Sequence, residues 1–168
     1  LYELYTPKAM RGAEQEFIEK MGMASEEDGF PRIAGRLFGL LILHEGPFSL
    51  DELAETLQVS KASVSTNARL LEQAGIAERT GQPGDRRDYY RMSPDAPERI
   101  FANVRNRMEQ MRELMEDTAE QLPEDQTVGR ERVERMGHFY AFMLSEIEHT
   151  IERWKMQASD VDNAERTA

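Results

Sequence analysis

Apolar positions recur at helical spacing through most of the chain, and a strand-like alternation replaces it in one place. Met10, Phe17, Ile18 and Met21 mark a first helix from about Pro7 to Ser25. An acidic stretch from Ser25 to Asp28 and then Gly29 break it, and Pro31 suits the first position of a second helix. From Ile33 to His44 the residues are so uniformly apolar that most of that helix must be buried. Glu45-Gly46-Pro47 stops it. Ser49 and Glu52 then stand at the S-x-x-E spacing of a capping box, with Leu50, Leu53, Ala54 and Leu57 on one face behind them. Ser60 caps a further helix that Gly75 closes. Two short helices joined by about three residues form a helix-turn-helix.

The strand-like part follows directly. Residues 76–80 and 87–92 flank the tip Gly81-Gln82-Pro83-Gly84-Asp85-Arg86, which cannot continue a helix. In the second strand Tyr90 and Met92 share one face, and Tyr89 and Arg91 the other. A hairpin behind a helix-turn-helix is a wing. Ser93-Pro94-Asp95 predicts the start of a long helix by cap, first-turn proline and acidic first turn. Phe101, Val104, Met108, Met111 and Met115 form its seam, which ends near Leu122-Pro123. The last helix, from about Val128 to Gln157, repeats the pattern with Val133, Met136, Tyr140, Met143, Ile147 and Trp154. The predicted fold class is mainly α: a winged helix-turn-helix with a two-stranded wing plus long dimerisation helices. Its expected parts are a helical arm (1–28), the DNA-binding domain (29–93), the long-helix region (94–157) and a disordered polar tail (158–168).

Composition sharpens this picture in three ways. The longest apolar run, Leu37 to Leu43, is far short of the roughly 18 residues a membrane span needs, so no membrane partner is expected. Cysteine is absent, which removes disulfides, thiol nucleophiles and Cys-based metal sites. The opening residues lack a basic-then-apolar targeting pattern, so the expected location is cytoplasmic. The net charge of −11 argues at first against nucleic acid. Residues 58–92, however, carry six basic and four acidic groups, a cationic island between two acidic arms. A field acts where the surfaces meet, so the island outweighs the total. Only four of the 21 basic residues are lysine.

The candidate DNA contacts lie on that island. With Val64 at zero degrees on a helical wheel, Ala68 and Leu71 fall within about 40 degrees of it and face the core. Ala62, Ser65, Thr66 and Arg69 point the other way, with Lys61 and Ser63 at the edges and no acidic residue before Glu72. Small side chains let a helix approach bases, hydroxyls bond base edges and phosphates, and Arg pairs bidentately with guanine. The helix N-terminus after Ser60 suits a phosphate. On the wing, Arg86 and Arg87 suit the minor groove or phosphates, and Asp85 would orient one of them.

The segments 59–79 and 84–94, in the order helix, helix, capped helix, recognition helix, wing and two long helices, resemble the multiple antibiotic resistance regulator (MarR) family. The entry into the second helix, the core of 63–76 and Asp85 to Tyr90 look most like its glycine-betaine-synthesis-regulator branch. The resemblance implies a homodimeric winged-helix repressor, relieved by a small effector, on a pseudo-palindromic double-stranded DNA operator. Position by position it implies base reading by Ser63, Ser65, Thr66 and Arg69, and a wing contact by Arg86 or Arg87. Asn67 departs from the apolar residue usual there in the wider family.

An effector of the choline type would need aromatic faces. Phe17, Phe38 and Phe101 lie in segments that could converge, though aromatics at helical spacing usually serve as core. Enzyme chemistry finds no footing. Glu134 with His138, or Glu146 with His149, lacks a third metal ligand, and no Gly-rich phosphate loop occurs, so neither metal nor cofactor is expected. The acidic total and scarce lysine suit a different class, a winged-helix protein-interaction module that does not bind DNA. Salt dependence separates the two, because binding to phosphates weakens steeply with salt.

Overall fold

The structure, a computed structural model, describes residues 12–165, with side chains to Gln157. The chain divides into two compact units, between Arg99 and Ile100. The first unit contains α1 (Gly12–Glu27), α2 (Arg32–Leu43), β1 (Phe48–Ser49), α3 (Leu50–Leu57), α4 (Lys61–Gln73), β2 (Ala77–Thr80), β3 (Tyr89–Met92) and the start of α5 (Ala96–Gln121). The second holds the rest of α5 and α6 (Thr127–Glu165). Residues before Gly12, including the expected helix start at Pro7 and Met10, lie outside the described residues.

Side chains from α1 to α4 and from the sheet meet in one core. Ile18 of α1, Leu37, Leu40 and Leu41 of α2, Leu53 and Leu57 of α3, Val64 and Ala68 of α4, and Ala77 and Tyr90 of the sheet form a single buried cluster. Each fully buried leucine there contributes about 1.5–3 kcal/mol of transfer free energy. Helices α1 and α2 approach backbone to backbone: a Cβ on Gly35 would lie 2.3 Å from the carbonyl oxygen of Met21. Only glycine allows that crossing.

The helix caps follow the sequence. Ser49 and Glu52 form a complete capping box, with the Ser49 backbone N–H donating to Glu52 Oε2 at 2.7 Å. Ser60 Oγ accepts from the Ser63 N–H at 3.2 Å. Gly75, at φ +70°, turns the chain out of α4, and the N–H of Ile76 returns to the Leu71 carbonyl at 2.9 Å.

The sheet differs from a plain hairpin. Its order is β1-β3-β2, antiparallel throughout, with Phe48 opposite Tyr90 and Thr80 opposite Tyr89. The two wing strands are those expected, and β1 adds a third. At two residues β1 is too short to show a period of its own, so only pairing reveals it. Tyr90 and Met92 face the core, but Tyr89, on the opposite face, is buried as well.

Two helix boundaries also shift. Helix α5 begins at Ala96, so its cap is Asp95, whose carbonyl accepts from Arg99, and its first-turn proline is Pro97. Ser93 is still tied to the wing, since its N–H donates to the Ile76 carbonyl at 2.9 Å. Helix α6 continues to Glu165, beyond Gln157 where the apolar seam ends. No Gly or Pro follows Gly137, and loss of an apolar stripe does not itself interrupt helix propagation.

In the second unit Arg130 donates to the Ala119 and Leu122 carbonyls at the C-terminal end of α5, and Arg105 pairs with Glu148 at 3.3 Å. Among its described residues only Ala119 and Gly137 are buried. The seam of α5 and α6 thus lies half-buried or open, including Val104, Leu114, Met136, Phe139 and Phe142.

Candidate nucleic-acid interface

Helix α4 presents two different sides. Val64 and Ala68 are wholly buried and Leu71 nearly so, which puts Lys61, Ala62, Thr66 and Arg69 on the exposed side with Ser63 and Ser65 half-buried at its flanks. Its hydroxyls have distinct uses. Ser60 and Ser63 share a contact of 2.9 Å between their Oγ atoms, so both belong to the cap. Thr66 Oγ1 donates back to the Ala62 carbonyl at 3.1 Å and keeps its lone pairs outward. The Ser65 hydroxyl makes no hydrogen bond among the described residues. Asn67 is 7% exposed, and its Nδ2 donates to the Ser63 carbonyl at 2.8 Å. That back-bond lets a polar side chain occupy a core-facing position.

The wing tip is organised by Asp85. Its Oδ1 accepts from the Arg87 backbone N–H at 2.9 Å, and its Oδ2 accepts from Arg87 Nε at 2.9 Å and Nη2 at 2.6 Å. Of the two arginines, Asp85 therefore orients Arg87. The Tyr89 hydroxyl donates to the same Oδ2 at 2.8 Å and accepts from Arg87 Nη2 at 2.8 Å. The hydrogen bonds from Arg87, then that from Tyr89, hold the Asp85 carboxyl well below the usual carboxylate range. The same bond to Asp85 pushes the Tyr89 phenol up, and burial pushes Tyr90 up.

The ion pairs sort the island's six cations. Lys61 meets Asp51 at 2.8 Å, Arg79 lies between Glu72 and Asp88, Arg87 is held by Asp85, and Arg91 pairs with Glu78 across the strands. Arg69 and Arg86 make neither ion pair nor hydrogen bond among the described residues. Among the described residues one free guanidinium thus stands on α4 and one on the wing tip. The Lys61 pair is exposed on both sides, so a phosphate competes for it at little cost.

The aromatic residues expected around an effector have other neighbours. Phe38 packs against the core cluster, and Phe17 is half-buried on α1. Phe101, in the second unit, has its ring centroid 6.4 Å from that of Trp154. An open groove of about 590 Å³ in the first unit is lined by Ile42, His44, Arg91, Met92 and Pro97 among others, and by none of the three phenylalanines.

Three contributors escape a reading of the sequence. Tyr89 is visible there only as the neighbour of Arg91 on one strand face. Gln58 adopts a left-handed conformation, φ 54°, at the turn between α3 and α4. Arg36 donates to the Leu57 carbonyl beside that turn. Its signal was present: an arginine inside the apolar run from Ile33 to Leu43 must find partners.

A buried core of four helices and a small sheet, a helix-turn-helix whose second helix is capped by Ser60, and an arginine-bearing hairpin define the class of winged helix-turn-helix proteins. A model of the MarR family matches residues 28–88, and one described as an MmpR5-like MarR family transcriptional regulator matches residues 95–157. The chain belongs to the MarR family. It is 43% identical over 102 residues to the HTH-type transcriptional regulator MmpR5 of Mycobacterium tuberculosis, covering 60% of this chain and 60% of that one. It is 34% identical over 83 residues to the HTH-type transcriptional repressor OpcR of Bacillus subtilis, covering 49% of this chain and 45% of that one. The matches thus span only 60% and 45% of those two relatives. A crystal structure described as that of a transcriptional regulator matches at TM-score 0.73 and 32% identity, covering 86% of this chain and 99% of that one. Among the described residues no helix is long and apolar enough to cross a membrane.

Proposed function

We propose that this chain is a homodimeric, sequence-specific DNA-binding regulator that reads a pseudo-palindromic duplex, with α4 in the major groove and the wing tip against the minor groove. The observation that carries this reading is the pair of unbonded guanidinium groups, Arg69 on α4 and Arg86 on the wing, within an island whose other cations are paired. Arg69 serves the bases, with Ser65 and Thr66 beside it, while Lys61, Ser60 and the N-terminal turn of α4 meet a phosphate. Ser63 acts through the cap. The open seam of the second unit supports a second copy of the chain, because exposed apolar area on that scale is rare in a monomer. Two-fold symmetry then spaces the recognition helices about 34–36 Å apart, one turn of duplex.

Repression is the direction of regulation, a reading supported by the repressor among its relatives. A small effector would relieve it by binding the two spacings of the recognition helices unequally. The betaine-branch signature makes a quaternary ammonium the first candidate, and calorimetry with choline, glycine betaine and salicylate, with and without duplex, tests it. The DNA reading itself is tested by titrating fluorescent duplex at several salt concentrations. Affinity should fall with salt at a log–log slope of roughly 0.9 per phosphate neutralised. A salt-independent affinity would instead support the protein-interaction module.

A further inference from the structure

We propose that Tyr89 is a positioning residue of the wing: its hydroxyl closes a ring with Asp85 and Arg87 that fixes the Arg87 guanidinium and the turn carrying Arg86. This role rests on the DNA-binding reading given above.

Tyr89 is well placed to anchor the hairpin tip. It lies in β3, the central strand of the sheet, between Ser49 of β1 and Thr80 of β2, and is only 4% exposed. Apart from the Asp85–Arg87 bonds, the backbone of the tip from Gln82 to Arg87 is little restrained. It has one backbone bond, from the Asp85 N–H to the Gln82 carbonyl at 3.1 Å, and a left-handed glycine, Gly84 at φ +83°. What ties this tip to the rigid sheet is the Tyr89 side chain.

The ring has no spare donor on the phenol side. The Tyr89 O–H is spent on Asp85 Oδ2, and its lone pair takes Arg87 Nη2, both at 2.8 Å. The guanidinium carbon also lies 5.4 Å from the centroid of the Tyr89 ring, so the cation rests against the aromatic face. Arg87 thereby has its Nε and Nη2 edge committed and its Nη1 edge free. Two neighbouring arginines become unlike groups: Arg87 is preorganised, and Arg86 is unrestrained. A cation held in place before encounter loses less side-chain entropy on binding than one that must be immobilised. Asp85 and Arg87 could pair without the phenol, but a surface pair of that kind is weak and leaves its geometry loose. The buried phenol converts it into a fixed one.

The test uses Tyr89→Phe in the full chain, which keeps the ring, its burial and its cation–π contact and removes only the hydroxyl. In the free protein, NMR should show the Arg87 Nε–H slowed in exchange in the wild type and fast in Tyr89→Phe. Duplex affinity of Tyr89→Phe should fall about three- to ten-fold, with an unchanged melting temperature and an unchanged salt slope, since no phosphate contact is removed. In an Asp85→Ala background the same substitution should cost nothing further, because the hydroxyl then has no ring to close. A wild type that binds duplex, with Tyr89→Phe matching it in affinity, overturns the role of Tyr89 alone. A loss of affinity that persists in the Asp85→Ala background overturns it too. A wild type with a protected Nε–H that binds no duplex at any salt overturns the regulator reading, and this role with it.

Discussion

Nη2 of Arg36 donates to the backbone carbonyl of Leu57 at 2.9 Å, although the two residues belong to different helices. Its Nε pairs with Glu19 Oε1 at 2.8 Å, and Arg32 pairs with the other oxygen of Glu19 at 3.0 Å. One guanidinium thus links α1, α2 and the C-terminal end of α3, where helix carbonyls lack intrahelical donors. The same point begins the turn that sets the direction of α4. A cation there also complements the negative end of the α3 dipole.

Removing that link should loosen the turn. Arg36→Gln loses a charge-assisted bond in a site where the arginine side chain is 17% exposed, at a cost of roughly 1.5–3 kcal/mol. Glu19→Gln should cost less, since the Leu57 bond survives it. Urea denaturation of both variants checks the order; equal losses would show that the Leu57 carbonyl contributes nothing.

Gln58 offers a gain rather than a loss. The N–H groups of Gln58 and Val59 return to the Glu55 and Ala54 carbonyls at 3.2 and 3.1 Å, the pattern in which glycine usually takes the left-handed position. Left-handed backbone costs a side-chain-bearing residue about 1–2 kcal/mol. Glycine recovers that while adding about 0.4–1 kcal/mol of unfolded-state entropy. Gln58→Gly should therefore stabilise the fold by roughly 0.5–1 kcal/mol, read as a higher denaturation midpoint at unchanged slope.

The two free arginines should fail differently. Arg69→Ala should relax preference at one base position per half-site by about 1–3 kcal/mol. Arg86→Ala should weaken many sequences alike and lower the salt slope by about 1. Selection from a random duplex library separates them, and identical preference profiles for wild type and Arg69→Ala would reject the assignment of Arg69 to a base.

Asp85 sets the acid limit of the wing. Its carboxyl is held below its ordinary value of 3.8, chiefly by Arg87. A depressed folded value means the ring contributes fully above about 3.8 and is lost as pH falls through the folded value. The wing should stay clamped through neutral and mildly acid solution. Carboxyl NMR should place the Asp85 midpoint below 3.8 in the wild type, and Arg87→Ala should return it toward 3.8.

Self-association follows from the open seam of α5 and α6. Phe142 is 60% exposed, and Phe139 beside it on α6 is 48% exposed. Phe142→Asp should shift the sedimenting species toward the 19.3 kDa chain at micromolar concentration while leaving the first unit folded. A wild type that already sediments at 19.3 kDa would reject the dimer and with it two-fold operator binding.

Much of this molecule was legible one short segment at a time. The helix caps at Ser49 and Ser60, the buried face of Val64, Ala68 and Leu71, the hairpin and the two long seams each depend on residues within a few positions of one another. Spacing along the chain therefore determines them. The sequence also determined that the six cations of the island stand together on α4 and the wing. Which of them are free was decided only by tertiary structure, because it depends on where carboxylates from other segments fall: Asp51 on Lys61, Glu78 on Arg91, Glu72 and Asp88 on Arg79. The same holds for β1, which exists only by pairing with β3, and for Gly35, whose small size matters only where Met21 crosses it. Arg36 shows the division most plainly. Its place in an apolar helix foretold a partner, but a helix has no means of encoding that the partners would be a carboxylate on α1 and a carbonyl on α3. Those contacts form only when chain segments some 20 residues apart are packed together by the common core.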